Sequence, residues 1–267
     1  MKCALPIALL ALACARPSVA QTPVPPASPA NEPFAVIDNS FLVEEAFNQD
    51  PGVVQNIVSW TRDHTGAWNA TFTQEWPLAG VTHQVSYTLP FAGGAGAASH
   101  LGAVLLNYRF QVSEESAAHP AIASRLSVIL PTGSSEDGSD HAGLQTNVAL
   151  SRQLRNLYVH ANAGFTWIVH VPVQGEAERS LLSPQIAGSV VWRTAPMLQL
   201  MLESVELFQQ SIDSRRERLT TISPGVRRGW NIGKRQIVVG AAAPVTTGGG
   251  DSTAALLLYG SYETPFK

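Results

Sequence analysis

Seven charged residues, Glu75, Arg109, Arg125, Arg193, Glu203, Arg227 and Glu263, occupy polar positions in segments where polar and apolar residues alternate. Four guanidiniums and three carboxylates turned into one interior can do two things. As a belt around a constriction they would select solutes by charge. Paired with one another and with residues 34–50, they would fill an interior too narrow to stay open, because the planar guanidinium fork matches a carboxylate bidentately. Both readings stay open at this stage. The other chemistry-bearing residues are thinly spread. Seven histidines lack metal-ligand spacing, so neither a metal nor a cofactor is assigned. Both cysteines, Cys3 and Cys14, fall in the first twenty residues. A chain processed after residue 20 would therefore have no disulfide, zinc–thiolate site or thiol nucleophile. His83 with Ser86 or Ser99 is the nearest approach to a hydrolase site, but period two puts Ser86 on the face opposite His83. His100 and His141 fall at loop edges, and no Gly-x-Ser-x-Gly elbow occurs. No catalytic residue is assigned, and the chain is not expected to be an enzyme.

The elements that carry these residues form a monotonous series. Val81, His83, Val85, Tyr87, Leu89 and Phe91 alternate with Thr82, Gln84, Ser86, Thr88 and Pro90. Leu157, Val159, Ala161, Ala163, Phe165 and Trp167 alternate with Tyr158, His160, Asn162, Gly164 and Thr166. Such period-two patterns predict strands with one polar and one apolar face. Twelve such segments are expected, at about 52–61, 67–77, 81–91, 100–112, 121–131, 143–151, 157–168, 183–193, 197–206, 219–228, 235–245 and 252–264. Gly, Ala and Pro blur the tenth and eleventh. Each is roughly ten residues long, enough for a tilted strand to cross a bilayer.

With 267 residues, 45% of them apolar and only 14% charged, the chain is not a disordered one. A net charge of −3 gives no footprint for nucleic acid, and no apolar run is long enough for a spanning helix. Two all-β architectures remain, a soluble sandwich or barrel and a transmembrane antiparallel β-barrel. Connection lengths favour the membrane barrel. Links at 62–66, 92–99, 132–142, 169–182, 207–218 and 246–251 read as long or Gly-rich, whereas 78–80, 152–156, 194–196 and 229–234 read as short, with 113–120 the poor fit. The tryptophans agree. Trp60, Trp68 and Trp167 fall at outer strand ends and Trp76, Trp192 and Trp230 at or just past inner ends, as two aromatic girdles require. Counting back in twos from Phe266 through Tyr262, Leu258 and Leu256 gives a last strand with an apolar face, although Lys267 trails it.

Residues 1–20 read as a cleaved secretory signal, with Lys2 before an apolar stretch and Ser18-Val19-Ala20 before the cut. The rival, lipidation at Cys14, lacks the leucine expected three places upstream. Loss of Lys2 and Arg16 leaves 15 basic against 20 acidic residues. Residues 21–50 form a Pro-rich tether and an N-terminal arm, and 51–267 the barrel. Ser40 is a candidate cap for a short helix carrying Leu42, Val43, Ala46 and Phe47, and an irregular arm or plug is the alternative. Gly248-Gly249-Gly250 lacks the lysine and helix of a phosphate loop and reads as a flexible outer hairpin. The run 213–218 reads as a solvated loop, with lipopolysaccharide phosphate as an alternative contact for its arginines.

Three segments carry a family likeness: Phe41-Leu42-Val43-Glu44-Glu45-Ala46-Phe47-Asn48-Gln49 with Pro51-Gly52-Val53-Val54-Gln55, then Arg125-Leu126-Ser127-Val128-Ile129-Leu130-Pro131-Thr132-Gly133, and Ser223-Pro224-Gly225-Val226-Arg227. Together they resemble the outer-membrane transporter family named for the meta-pathway of phenol degradation, over most of residues 41–266. The resemblance implies a bacterial outer-membrane barrel, with outer-membrane lipid and lipopolysaccharide as surroundings and a role in uptake of small, hydrophobic or aromatic solutes. It supplies no functional residues. A closed structural or surface-interaction barrel is the alternative.

Overall fold

The computed structural model describes residue 36 and residues 38–94, 96–134, 139–173, 177–212 and 215–266. The signal segment, the tether, Asp213 and Ser214 lie outside the described residues. The strands are β1 (Val53–Asp63), β2 (Ala67–Ala79), β3 (His83–Gly94), β4 (Ala97–Leu101), β5 (Leu105–Ser113), β6 (Ala121–Ile129) and β7 (Gly143–Leu154). They continue with β8 (Leu157–Val171), β9 (Arg179–Ala195), β10 (Leu198–Gln210), β11 (Arg216–Ile232), β12 (Arg235–Ala242), β13 (Val245–Gly248) and β14 (Asp251–Pro265). Neighbouring strands pair antiparallel, with β3 pairing both β4 and β5, and with β11 and β14 each pairing both β12 and β13. Strand β1 pairs with β14 from Val53↔Pro265 to Asp63↔Ala255, so the sheet closes on itself. The result is a twelve-stave barrel. The staves at 97–113 and 235–248 are each broken once, which gives the two extra strands.

Both breaks depart from the expected continuous segments. In the first, Gly102 to Val104 leave the ladder, with Gly102 N bonding Pro90 O. In the second, Pro244 has no amide hydrogen to donate, and pairing passes from β12 to β13 across it. The strands are also longer than expected: β9 and β11 each run 17 residues, well past the nine to eleven that a tilted strand needs. Strand structure therefore consumes three links expected to be long. The β1–β2 connection is 64–66, β13 and β14 are joined by Gly249 and Gly250, and the span 92–99 becomes a hairpin in which Gly94 pairs with Ala97. Gly249 and Gly250 both have positive φ, which makes a tight two-residue hairpin rather than a flexible loop. The long links that remain at that end are 130–142, 172–178 and 211–215. The opposite, terminal end carries the start of β1, the end of β14 and the two-residue turns 155–156, 196–197 and 233–234.

The wall is inside-out relative to a soluble protein. Along β5, Leu106, Tyr108 and Phe110 are 49%, 42% and 37% exposed, while Asn107, Arg109 and Gln111 are 8%, 5% and 7% exposed. Leu200 and Leu202 face outward while Gln199 and Glu203 are fully buried. Free energy from water-driven burial cannot select that arrangement, because large apolar side chains would remain in water. An apolar exterior around a polar lumen is the pattern of a barrel in lipid. By the same alternation all six tryptophans point outward. No described residue lies in a helix.

Candidate functional site

Residues 38–50 do not form the helix allowed for above; they run through the lumen as an irregular arm that bends at 41–43 and at 46. Ser40 caps nothing: its hydroxyl lies 2.9 Å from that of Ser189. A helix would satisfy its own amides, whereas most bonds to this arm's amides and carbonyls come from inward side chains of the wall, while the Glu45 amide donates within the arm, to Asn39 Oδ1 at 3.0 Å. The Leu42 and Val43 amides donate to Glu203 Oε1 at 2.7 and 3.1 Å. The Glu44 amide donates to Asn162 Oδ1 at 2.8 Å, and Asn162 Nδ2 returns a bond to the Glu44 carbonyl at 2.9 Å. Ala46 N donates to Ser151 Oγ, Asn48 N to Gln111 Oε1 and Gln49 N to Gln84 Oε1. The wall thus replaces the ladder partners that a free strand would lack.

Charge fixes the arm at three points. Arg227, 1% exposed, donates from Nε to Gln199 Oε1 at 2.5 Å and from Nη1 to the Asp38 and Asn39 carbonyls at 2.5 and 2.7 Å. Its Nη2 reaches Glu45 Oε1 at 3.1 Å. Across the lumen, Arg125 grips Glu44 Oε1 from Nε at 2.8 Å and from Nη2 at 2.5 Å. Asp38 accepts from Gln55, Tyr259 and Ser261. Burial pushes the Glu44 carboxyl up, but the Arg125 and Arg109 charges outweigh it and hold the group below the ordinary carboxylate value. At Glu45 burial prevails over the opposing charge of Arg227, aided by that of Asp38, and pushes the carboxyl up to about 7.

Apolar contacts supply the shape. Phe41 lies 5.0 Å from the Tyr259 ring, and Phe47 lies 5.6 Å from Tyr158. Ala46 joins Ala121, Ala123 and Ala149 in a small cluster. Phe41 fits because β11 and β12 carry glycine beneath it. A Cβ on Gly240 would lie 2.3 Å from Phe41 Cζ, and one on Gly225 would lie 2.9 Å from Cε2.

The seven charged residues form no continuous ring. Arg125, Glu203 and Arg227 hold the arm. Arg109 faces Arg125 directly in the β5–β6 register and lines a cavity with it. Glu75 accepts from Gln84 Nε2 at 2.8 Å. Glu263 lies near the terminal end, paired with Gln55 and Gln236. Arg193 pairs with Gln199 just before the 196–197 turn. Near the loop end Arg218 donates to Glu206 at 2.6 Å, which gives that arginine of the 213–218 run a protein partner.

The arm divides the lumen. One cavity, of about 520 Å³, opens between the arm and the terminal end. The other, of about 270 Å³, lies between residues 39–44 and the wall of β1, β2, β3, β5 and β6. Glu75 borders both.

One grouping escapes a reading of the sequence. Ser151 Oγ sits 2.7 Å from His160 Nδ1, and His160 Nε2 sits 3.6 Å from Glu45 Oε1. The order imitates a nucleophile, base and acid. Yet Ser151 and His160 are each 1% exposed and the Ser151 hydroxyl already accepts from the Ala46 amide, so the arm occupies the space a substrate would need. Its present role is to clamp the arm. The inward parity of His160 and Ser151 is legible in the sequence; their joint contact with an arm more than a hundred residues away is not.

The fold is similar to that of the COG4313 outer membrane channel from Pseudomonas putida F1, with a TM-score of 0.61 and 12% identity over 86% of this chain and 100% of that one. It is also similar to the NanC porin, with a TM-score of 0.56 and 9% identity over 79% of this chain and 99% of that one. At these identities the likeness is one of fold. No family model matches the chain, and no curated protein matches it.

Proposed function

We propose that the chain is a small bacterial outer-membrane channel whose lumen is occluded by its own N-terminal arm. One observation carries the reading: a polar, cavity-bearing lumen inside an apolar wall is crossed by residues 38–50, and Glu75 borders the cavities on both sides of that crossing. The shared fold with an outer membrane channel and a porin supports it. In this reading the signal at 1–20 is removed, the terminal end faces the periplasm and the long links face outward, as in barrels of this kind. The charged belt then acts chiefly through the arm. Solutes pass when the arm shifts, and they meet Glu75, which borders both cavities, and Arg109, which lines the smaller one. That the solutes are small and hydrophobic or aromatic rests on the sequence resemblance to the phenol meta-pathway family alone.

The density of bonds to the arm favours a second reading, a permanently closed barrel with no transport. Single-channel recording separates the two. Protein refolded from residue 21 should show rare, small openings, and protein refolded from residue 51 should conduct steadily. If both stay silent, the channel reading fails.

A further inference from the structure

The outward face of β11 and β12 carries cations that the wall does not balance. From Leu219 to Gly250 the chain has Arg227, Arg228, Lys234 and Arg235 and no carboxylate. Arg227 points into the lumen and holds the arm, but alternation turns Arg228 and Arg235 outward, and Lys234 stands in the 233–234 turn between the two strands. All three are exposed. Arg228 lies opposite Leu198 on one neighbouring strand and Val239 on the other, so its own level of the wall supplies no counter-charge. Glu263, the carboxylate that β14 carries at this end, pairs in register with Gln236 and lines the larger lumen cavity instead. Among the described residues, Arg228, Lys234 and Arg235 have neither a hydrogen-bond partner nor a carboxylate partner for their side chains.

The depth of these cations in the wall points to a ligand. Trp230 lies opposite Ile237, with Arg228 two residues nearer the middle of the wall and Arg235 two residues nearer the terminal end. An outward tryptophan marks the boundary between acyl chains and headgroups, so Arg228 starts on the acyl side of that boundary. A cation rooted there is costly unless its side chain bends to the boundary and meets an anion. The Arg228 guanidinium does bend that way: it lies 5.4 Å from the centre of the Trp230 ring. The two arginine backbones are about 13 Å apart along the strands, and their long side chains can converge over the indole from opposite sides. Toward the middle of the wall, Val226 and Leu200 face each other in register and are both exposed. Cations and an indole N–H at the boundary, with a smooth apolar strip beside them, match a phosphate joined to acyl chains.

We propose that this patch binds one anionic glycerophospholipid of the leaflet at the terminal end, its phosphate held by Arg228, Arg235 and Lys234 and its acyl chains laid along Val226 and Leu200. Charge selects the lipid class. A zwitterionic headgroup would bring its own ammonium against Lys234 and Arg235, where no carboxylate receives it, whereas a glycerol headgroup brings only hydroxyls. Free phosphate would meet the same cations but leave the apolar strip uncovered. The inference rests on the barrel standing in lipid and needs no open pore.

The test is native mass spectrometry of protein beginning at Gln21 in detergent, titrated with phosphatidylglycerol and phosphatidylcholine of identical acyl chains, and with glycerol 3-phosphate as a probe without chains. One phosphatidylglycerol should bind before any other lipid and at least about fivefold more tightly than phosphatidylcholine, and glycerol 3-phosphate should not displace it. Arg228→Gln and Arg235→Gln should each weaken that first binding roughly fivefold. Arg216→Gln, which removes the same charge at the opposite end of β11, should leave it unchanged. Because the Arg235 side chain has no partner in the fold, its variant keeps the test decisive if the Arg228 variant refolds poorly. The site is overturned if phosphatidylcholine binds as tightly as phosphatidylglycerol, if glycerol 3-phosphate displaces the lipid, or if Arg216→Gln weakens binding as much as Arg235→Gln. Insertion of the same protein into phosphatidylcholine vesicles reports on the membrane reading separately, and conductance reports on the channel reading.

Discussion

Replacing Arg227 with alanine removes the contacts that tie arm residues Asp38, Asn39 and Glu45 to the wall. The side chain makes four hydrogen bonds, three of them to arm residues 38, 39 and 45, and the ion pair with Glu45 is almost fully buried. Breaking a buried pair by deleting one partner costs about 3–5 kcal/mol. Some of that cost is recovered when Glu45, already raised to about 7, takes up a proton. The lower figure, about 3 kcal/mol, is therefore the better guide, and it corresponds to roughly a 150-fold rise in the undocked fraction. Protein beginning at Gln21 has no cysteine, so Ser40→Cys introduces a single thiol at a site 3% exposed when the arm is docked. Its labelling rate by a water-soluble maleimide, with fast docking, follows the undocked population. Arg227→Ala should raise that rate about two orders of magnitude in folded, heat-modifiable barrels. A rate within twofold of the parent would show that neither Arg227 nor its buried pair with Glu45 holds the arm against the wall.

Three further outcomes are expected. Gly240→Ala should raise the same labelling rate, because its Cβ would meet Phe41 at 2.3 Å, at an overpacking cost of about 1–3 kcal/mol; adding Phe41→Ala should restore protection in part, and no rescue would place the clash elsewhere. Glu45 holds a proton in the folded protein between its ordinary value of 4.5 and about 7, so its contribution is complete below 4.5 and is lost as the pH rises through 7. The heat-unfolding temperature of the parent should accordingly fall relative to that of Glu45→Gln between pH 5 and pH 8, and a constant gap would contradict the burial assigned to that carboxyl. Leu202→Arg places a charge on an outward position that is 54% exposed, and near the bilayer midplane it should cost about 2–4 kcal/mol of stability in lipid vesicles. No loss there would count against a lipid-facing wall.

The wall is legible in the sequence because lipid on one side and polar groups on the other impose a strict period of two. The parity of Asn107, Arg109, Ser127, Asn147, His160 and Glu203 follows from that alone. Strand ends are less legible, since beyond the bilayer nothing enforces the alternation; residues 179–182 and 216–218 pair into the sheet without displaying it. The arm is the hardest part. Leu42, Val43, Ala46 and Phe47 have helical spacing, but every local preference there is outweighed by wall side chains distant in sequence. One signal does exist. The glycines at 225 and 240, which blur the tenth and eleventh segments, mark where the wall makes room for Phe41. A weak strand pattern in a lumen-facing stretch can thus record a guest rather than a poor strand.

The central claim is that the arm closes a channel, and a reversible lock tests it most directly. The Ser40 and Ser189 hydroxyl oxygens lie 2.9 Å apart, so paired cysteines at these positions are placed to form a disulfide between arm and wall. Conductance of Ser40→Cys/Ser189→Cys protein should be abolished after oxidation and return to the parent's openings when a reductant is added to the same bilayer. Identical conductance in the oxidised and reduced states, with the cross-link verified by mass, would contradict closure by the arm.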